Sequence, residues 1–101
     1  MKKFWMKIHI IREEYMVAAC DYELLGKEFK EGNLRLYVSP RFYGGKVVDE
    51  EKLIEELKKA TIGNLVGENA VEAGRKAGVV GNVKKISGVP HAQFVCYFPF
   101  S

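Results

Sequence analysis

Residues 50–77 read EEKLIEELKKATIGNLVGENAVEAGRKA, and how they divide decides the fold. Asp49 suits a helix N-cap, and Glu50 and Glu51 supply the acidic first turn that a helix dipole favours. Leu53, Ile54, Leu57 and Ala60 recur at helical spacing and define a buried face, while Glu55 reaches Lys59 at i+4. A helix running unbroken to Ala77 would be about 42 Å long at 1.5 Å per residue, too long for a small domain. The glycines therefore predict a break near Gly63 to Gly67 and a second helix that ends before Gly78.

Upstream, Phe4 to Arg12 alternates Phe4, Met6, Ile8 and Ile10 against Trp5, Lys7, His9 and Ile11, the period of a strand. Tyr15 to Cys20 is a second apolar run across Glu13-Glu14, which reads as a hairpin without an Asn-Gly turn. Asp21 suits an N-cap for one helical turn over Tyr22 to Leu25, stopped by Gly26. Leu34, Leu36 and Val38 make a third strand, ended by Ser39-Pro40, and Arg41 to Gly45 is a loop. Downstream come Val83 to Ile86, a turn over Ser87 to Pro90, and a last strand over Ala92 to Phe98. The expected fold is α+β, a two-layer sandwich with a mostly antiparallel sheet of about four to five strands and two main helices on one face.

With 101 residues, 48% of them hydrophobic and 29% charged, the chain has globular composition and the length of one domain, 1–101. No apolar run reaches the roughly 18 residues of a membrane span. Lys7, His9 and Arg12 interrupt the N-terminal apolar stretch, so an export signal is not expected. Cys20 and Cys96 lie far apart in apolar runs, which suits reduced core thiols in a cytoplasmic protein. The net charge of +3 is mild, and Lys58-Lys59 and Arg75-Lys76 fall where helix C-termini favour cations. Lys and Glu are plentiful beside one Thr, one Gln and three Ser, a bias found in proteins from hot environments.

Several segments could carry chemistry, and each has a plainer reading beside it. Gly63, Gly67, Ala70, Gly74 and Ala77 form a small-residue stripe that suits close packing within the domain or a homodimer contact. Asn64 and Glu68 flank the expected helix break, where they would cap a helix end or bind a ligand. In Arg41-Phe42-Tyr43-Gly44-Gly45, Phe42 suits the core and the glycines a turn. Alternatively Arg41 and Tyr43 are exposed to stack on bases, and Gly44 and Gly45 let a ligand approach the backbone. His91 and Gln93 follow the rigid Pro90, so His91 either bonds to backbone or joins a site. A Cys20–His91 nucleophile pair oriented by Asp21 is conceivable on residue type alone. His9, His91, Cys20 and Cys96 show no ligand-pair spacing, so neither a metal nor a cofactor is expected.

These segments also carry a resemblance. Ala18-Ala19-Cys20-Asp21, Glu23 to Lys27, Phe42 to Gly45, Val48-Asp49-Glu50, Ala60 to Glu68 and Gly88 to Gln93 occur in order. The chain thereby resembles the archaeal domain-of-unknown-function family numbered four-two-four over roughly residues 15 to 98. The resemblance implies an archaeal cytoplasmic protein with a compact α/β fold, in the setting of translation or RNA metabolism. It brings no activity. Residues 1–14 depart from the family's pattern, and Gly63 stands where Ala is expected. From the residues, the leading expectation is a non-catalytic module for RNA or a ribonucleoprotein. Its surface would join Arg41, Tyr43, Gly44 and Gly45 to Asn64, Glu68, His91 and Gln93. A small enzyme or ligand-binding protein using Cys20 and His91 with Asn64 and Glu68, and a homo-oligomer built on the helix stripe, are the alternatives.

Overall fold

The period-two pattern at the N-terminus forms β1 (Lys3–Ile11), which turns through Arg12-Glu13 into β2 (Glu14–Asp21). Arg12 adopts φ +58° there, so the tight turn forms without a glycine. The computed structural model describes residues 1–96. After a 3-10 turn at Tyr22–Leu24 come β3 (Glu28–Glu31), β4 (Leu34–Tyr37), the one-turn α1 (Pro40–Tyr43) and β5 (Lys46–Asp49). The stretch that decides the fold then divides into α2 (Glu50–Leu57), β6 (Ile62–Val66) and α3 (Glu68–Ala77). The chain continues into β7 (Val83–Ile86) and β8 (Val89–Val95). Tyr97 and Phe98, assigned above to the last strand, lie outside the described residues.

Six strands form one sheet in the order β5-β1-β2-β6-β8-β7, and β3 and β4 pair separately. Among these pairings only β2–β6 is parallel, with Met16 opposite Ile62 and Cys20 opposite Val66. A parallel pair needs a crossover, and the segment through β5 and α2 provides it. The expected helix break is thus a complete central strand. Ile62, Asn64 and Val66 face one side and Gly63 and Leu65 the other, so the alternation is real but only five residues long.

Strand alternation separates two apolar layers. Phe4, Met6, Val17, Ala19, Leu65 and Phe94 pack under α2 and α3 with Leu53, Leu57 and Val71. On the opposite face, Ala18, Cys20, Val66 and Ile86 are covered by Leu36, Val38 and Tyr43 from β4 and α1. The architecture is α+β and mainly antiparallel, as expected. The two-layer description and the strand count are corrected, because the β3–β4 hairpin and α1 cover part of the second face.

Each helix end has a local cause. The Asp49 carboxylate accepts the Lys52 N–H at 2.8 Å and starts α2. Gly78 closes α3 in the left-handed region at φ +78°. The Tyr15 hydroxyl donates to buried Glu56 at 2.5 Å and ties α2 to β2. The small-residue stripe does not lie on one helix. Gly63 is in β6, Ala70 is buried, and Gly74 packs against Leu65 and Val80. Those residues serve packing inside the chain, which removes the basis for a dimer through that stripe.

Gly63 has a specific reason to lack a side chain. It pairs with Phe94 across β6 and β8, and the Phe94 ring occupies the space that a Cβ would need. Gly63→Ala is therefore expected to lower stability by about 1–3 kcal/mol through overpacking. The shift in urea midpoint measures it. The double variant Gly63→Ala/Phe94→Leu should lose less than the two single losses added together, and strict additivity would contradict this packing.

Candidate functional site

Three of the segments singled out from sequence meet on the face of the sheet opposite α2 and α3. Tyr43 ends α1, Asn64 is the middle residue of β6, and His91 lies on β8. The Tyr43 hydroxyl donates to Asn64 Oδ1 at 2.7 Å, and His91 Nε2 lies 2.8 Å from the same oxygen. An amide oxygen only accepts, so His91 carries its proton on Nε2 and both neighbours donate. Tyr43 is buried, while Asn64 and His91 are half-buried. Burial, and then Lys84, hold the His91 imidazole below its ordinary value of 6.5. Burial pushes the Tyr43 hydroxyl up. The network is neutral near pH 7.

The neighbouring elements fix this network. Phe42 stacks on His9 with ring centroids 4.9 Å apart, and the Phe42 carbonyl accepts from His9 Nε2 at 2.9 Å. Lys7 donates to the Arg41 carbonyl at 2.8 Å. Both contacts hold α1 against β1. Gly44 and Gly45 serve the chain in the same way: a Cβ at Gly44 would strike the Pro40 carbonyl, and one at Gly45 the Met6 carbonyl. The approach that these glycines permit is to the protein's own backbone, which corrects the expectation that they face a ligand. Arg41 and Gln93 are exposed beside the network, and Gln93 pairs directly with Asn64 across the strands.

Glu68 lies elsewhere. It begins α3 beside a hollow of about 140 Å³ lined also by Asp21, Glu23, Gly67 and Pro90. Neither Asn64 nor Glu68 caps a helix. That work falls to Asp21, whose carboxylate accepts the N–H groups of Asn69 at 3.1 Å and Ala70 at 2.7 Å. Asp21 makes no capping bond to the 3-10 turn that follows it. Burial pushes its carboxyl up from the ordinary value, and the two N–H bonds pull it back down. Gly67, at φ +113°, leaves room for that carboxylate where a Cβ would overlap it.

Cys20 and His91 do not form a nucleophile–base pair. Cys20 pairs with Val66, and Val66 with His91, so a whole strand separates them. That is roughly 10 Å at two strand spacings. Burial, reinforced by Asp21, pushes the Cys20 thiol up to about 12. A fully buried thiol in that state supplies no thiolate near pH 7. Both cysteines are free. Among the described residues no cluster of three His, Cys, Asp or Glu side chains is arranged to hold a metal ion, and no helix is long and apolar enough to cross a membrane.

The family model described as "Protein of unknown function (DUF424)" matches residues 9–97. The chain belongs to this family. Its match begins within β1 at residue 9, so residues 9–14, read above as departing from the family's pattern, fall inside it. The chain is also similar to an uncharacterized conserved protein from Methanopyrus kandleri known from a crystal structure. The two are 27% identical with a TM-score of 0.81, over 98% of this chain and 97% of that one. No curated protein matches the sequence. The resemblance read from the six segments thus holds, and the family brings no activity with it.

Sequence reasoning missed His9, Phe42 as a stacking partner, Lys7 and Lys84. His9 and Lys7 do alternate on the outward side of the first strand, which was the available signal. The network has a measurable consequence. The folded pKa of His91 is lowered, so the stability carried by its neutral ring is full above 6.5 and is lost as pH falls through the folded value. An NMR titration should find the His91 ring protonating below 6.5, and Lys84→Gln should move that midpoint part of the way back. A midpoint at or above 6.5 would contradict the buried, neutral assignment.

Proposed function

We propose that this protein is a non-catalytic binding module that takes RNA on the sheet face around Tyr43, Asn64 and His91. The observation that carries the reading is the unequal pairing of charge over the surface. Lys52 and Lys59 pair with Glu55 and Glu56, Arg75 with Glu72, and Lys76 with Glu50. Those pairs leave Lys58 as the one cation of α2 and α3 without a carboxylate partner among the described residues. Lys7, Arg41 and Lys84 on the sheet face have no carboxylate partner among the described residues, although Glu14 stands on the same face at the hairpin tip. Unpaired cations on the face that also carries a stacked aromatic pair suit a phosphate backbone with bases.

Two further observations favour binding over catalysis. The Cys20 thiol is pushed up to about 12 and supplies no thiolate nucleophile near pH 7. The polar side chains bond one another, which fixes their orientation for recognition.

Three cations on phosphates would give a slope of about −2 for log affinity against log salt on single strands. Fluorescence anisotropy with labelled RNA at several salt concentrations measures it. Arg41→Ala, at an exposed position, should weaken binding and flatten the slope by roughly 0.7. Lys59→Ala on the helical side should leave both unchanged. Equal effects of the two substitutions, or no binding to RNA at low salt, would overturn the proposal.

A further inference from the structure

The sheet face opposite the helices is covered over only part of its length. Leu36, Val38 and Tyr43 cover Ala18, Cys20 and Val66. Beyond them, Met16 and Ile62 join neither core cluster, and Gln93 and Val95 are exposed, Val95 at 57%. Register carries this strip across the sheet, with Met16 opposite Ile62 and Ile62 opposite Val95. The next row is Lys7, Ala18, Asn64 and Gln93. Among the described residues no element lies over the strip. Its floor is apolar, its near wall is the His9–Phe42 stack, and Lys7 and Lys84 stand on strands four spacings apart, roughly 19 Å.

The polar network presents open valences to this strip. Asn64 Oδ1 is used twice, by Tyr43 and His91. Asn64 Nδ2 and His91 Nδ1 have no partner among the described residues, and no buried side-chain nitrogen or oxygen there lacks one. Both atoms therefore reach solvent. One is a donor, and the other an acceptor because the ring carries its proton on Nε2. Their orientation is set before any ligand arrives, since each residue is anchored by its other polar atom.

We infer that this strip takes unpaired bases, so that the ligand of the site is single-stranded rather than duplex RNA; the inference rests on the RNA-binding reading above. Four features carry it together. The aromatic surface is a two-ring stack, His9 on Phe42 at 22° between planes, and a flat base continues such a stack. The donor and acceptor sit half-buried on β6 and β8 of the same face, where only a base turned out of a helix brings its edge. In A-form duplex the major groove is too deep and narrow for side chains to read, and the flat minor groove offers no base to stack. Lys7 stands beside the strip on β1, and Lys84, opposite His91 on the far flank of the sheet, stands two rows from it, so a backbone crossing the strands obliquely meets both. Met16 and Ile62 supply the apolar floor beneath a base, which a phosphate backbone alone would not use.

The test compares a short single-stranded RNA with a duplex of the same length and sequence, by anisotropy at one low salt concentration. Single-strand affinity should exceed duplex affinity by at least about tenfold, the contribution of one stacked base. Phe42→Leu keeps the apolar packing of α1 and removes the ring. It should weaken single-strand binding by a similar factor and leave duplex binding unchanged. His9→Leu removes the other ring and carries the same test if Phe42→Leu proves unfolded by circular dichroism. Equal affinity for both forms, tighter duplex binding, or ring-deleted variants that bind single strands as well as the parent would overturn the inference while leaving RNA binding intact. Failure of both RNAs to bind would overturn the RNA-binding reading itself, and this inference with it.

Discussion

The Asp21 carboxylate, held by the N–H groups of Asn69 and Ala70, is the joint on which the arrangement of this protein depends. Asp21 ends β2 and Gly67 follows β6, so one contact locks the C-terminal ends of the parallel pair together. It also satisfies the first N–H groups of α3, which no local residue caps. The contact exists because Gly67 has no Cβ and tolerates φ +113°. With β6 locked beside β2, Asn64 falls opposite Ala18 on one side and Gln93 on the other. There its amide meets Tyr43 from α1 and His91 from β8. A carboxylate some 46 residues away in sequence from Gly67 thereby positions the polar centre of the candidate site.

Much of the fold was legible because it follows local rules. The β1 alternation, the Asp49 cap, the basic last turn of α3 and the Gly78 stop all read directly from neighbouring residues. β6 was not legible, for a physical reason. It is short, buried on the helical face but only half-covered on the other, and it contains Gly63 and Asn64, residues that rarely build strands. Only tertiary pairing explains them: Phe94 fills the space above Gly63, and Tyr43 and His91 satisfy Asn64. The same holds for Asp21, whose partner lies far along the chain. The short edge strand β5 and the strand β3 gave little periodic signal within four residues each.

The candidate site was half legible. Tyr43, Asn64 and His91 were singled out by residue type and do converge, with Gln93 and Arg41 beside them. Glu68 went to another corner, and Gly44 and Gly45 proved to serve chain packing. His9, weighed in sequence only as a metal ligand, Phe42, read as core, and Lys7 and Lys84, which carried no site reading, acquire a role in the site only from register. They become one surface because β1 and β7 stand on opposite flanks of β2, β6 and β8. Charge follows the same division. The helical side pairs its ions apart from Lys58, whereas the sheet face keeps Lys7, Arg41 and Lys84 on the same face as the aromatic rings and a neutral polar network.

The central claim is that the sheet face beyond α1 is the working surface, and residue-resolved NMR tests it most directly. Single-stranded RNA titrated into labelled protein should shift the signals of Lys7, His9, Phe42, Asn64, His91 and Gln93. Signals of exposed residues on α2 and α3, such as Glu51, Lys59 and Glu72, should stay in place. Shifts centred on the helices, or on the hollow beside Glu68, would contradict the account.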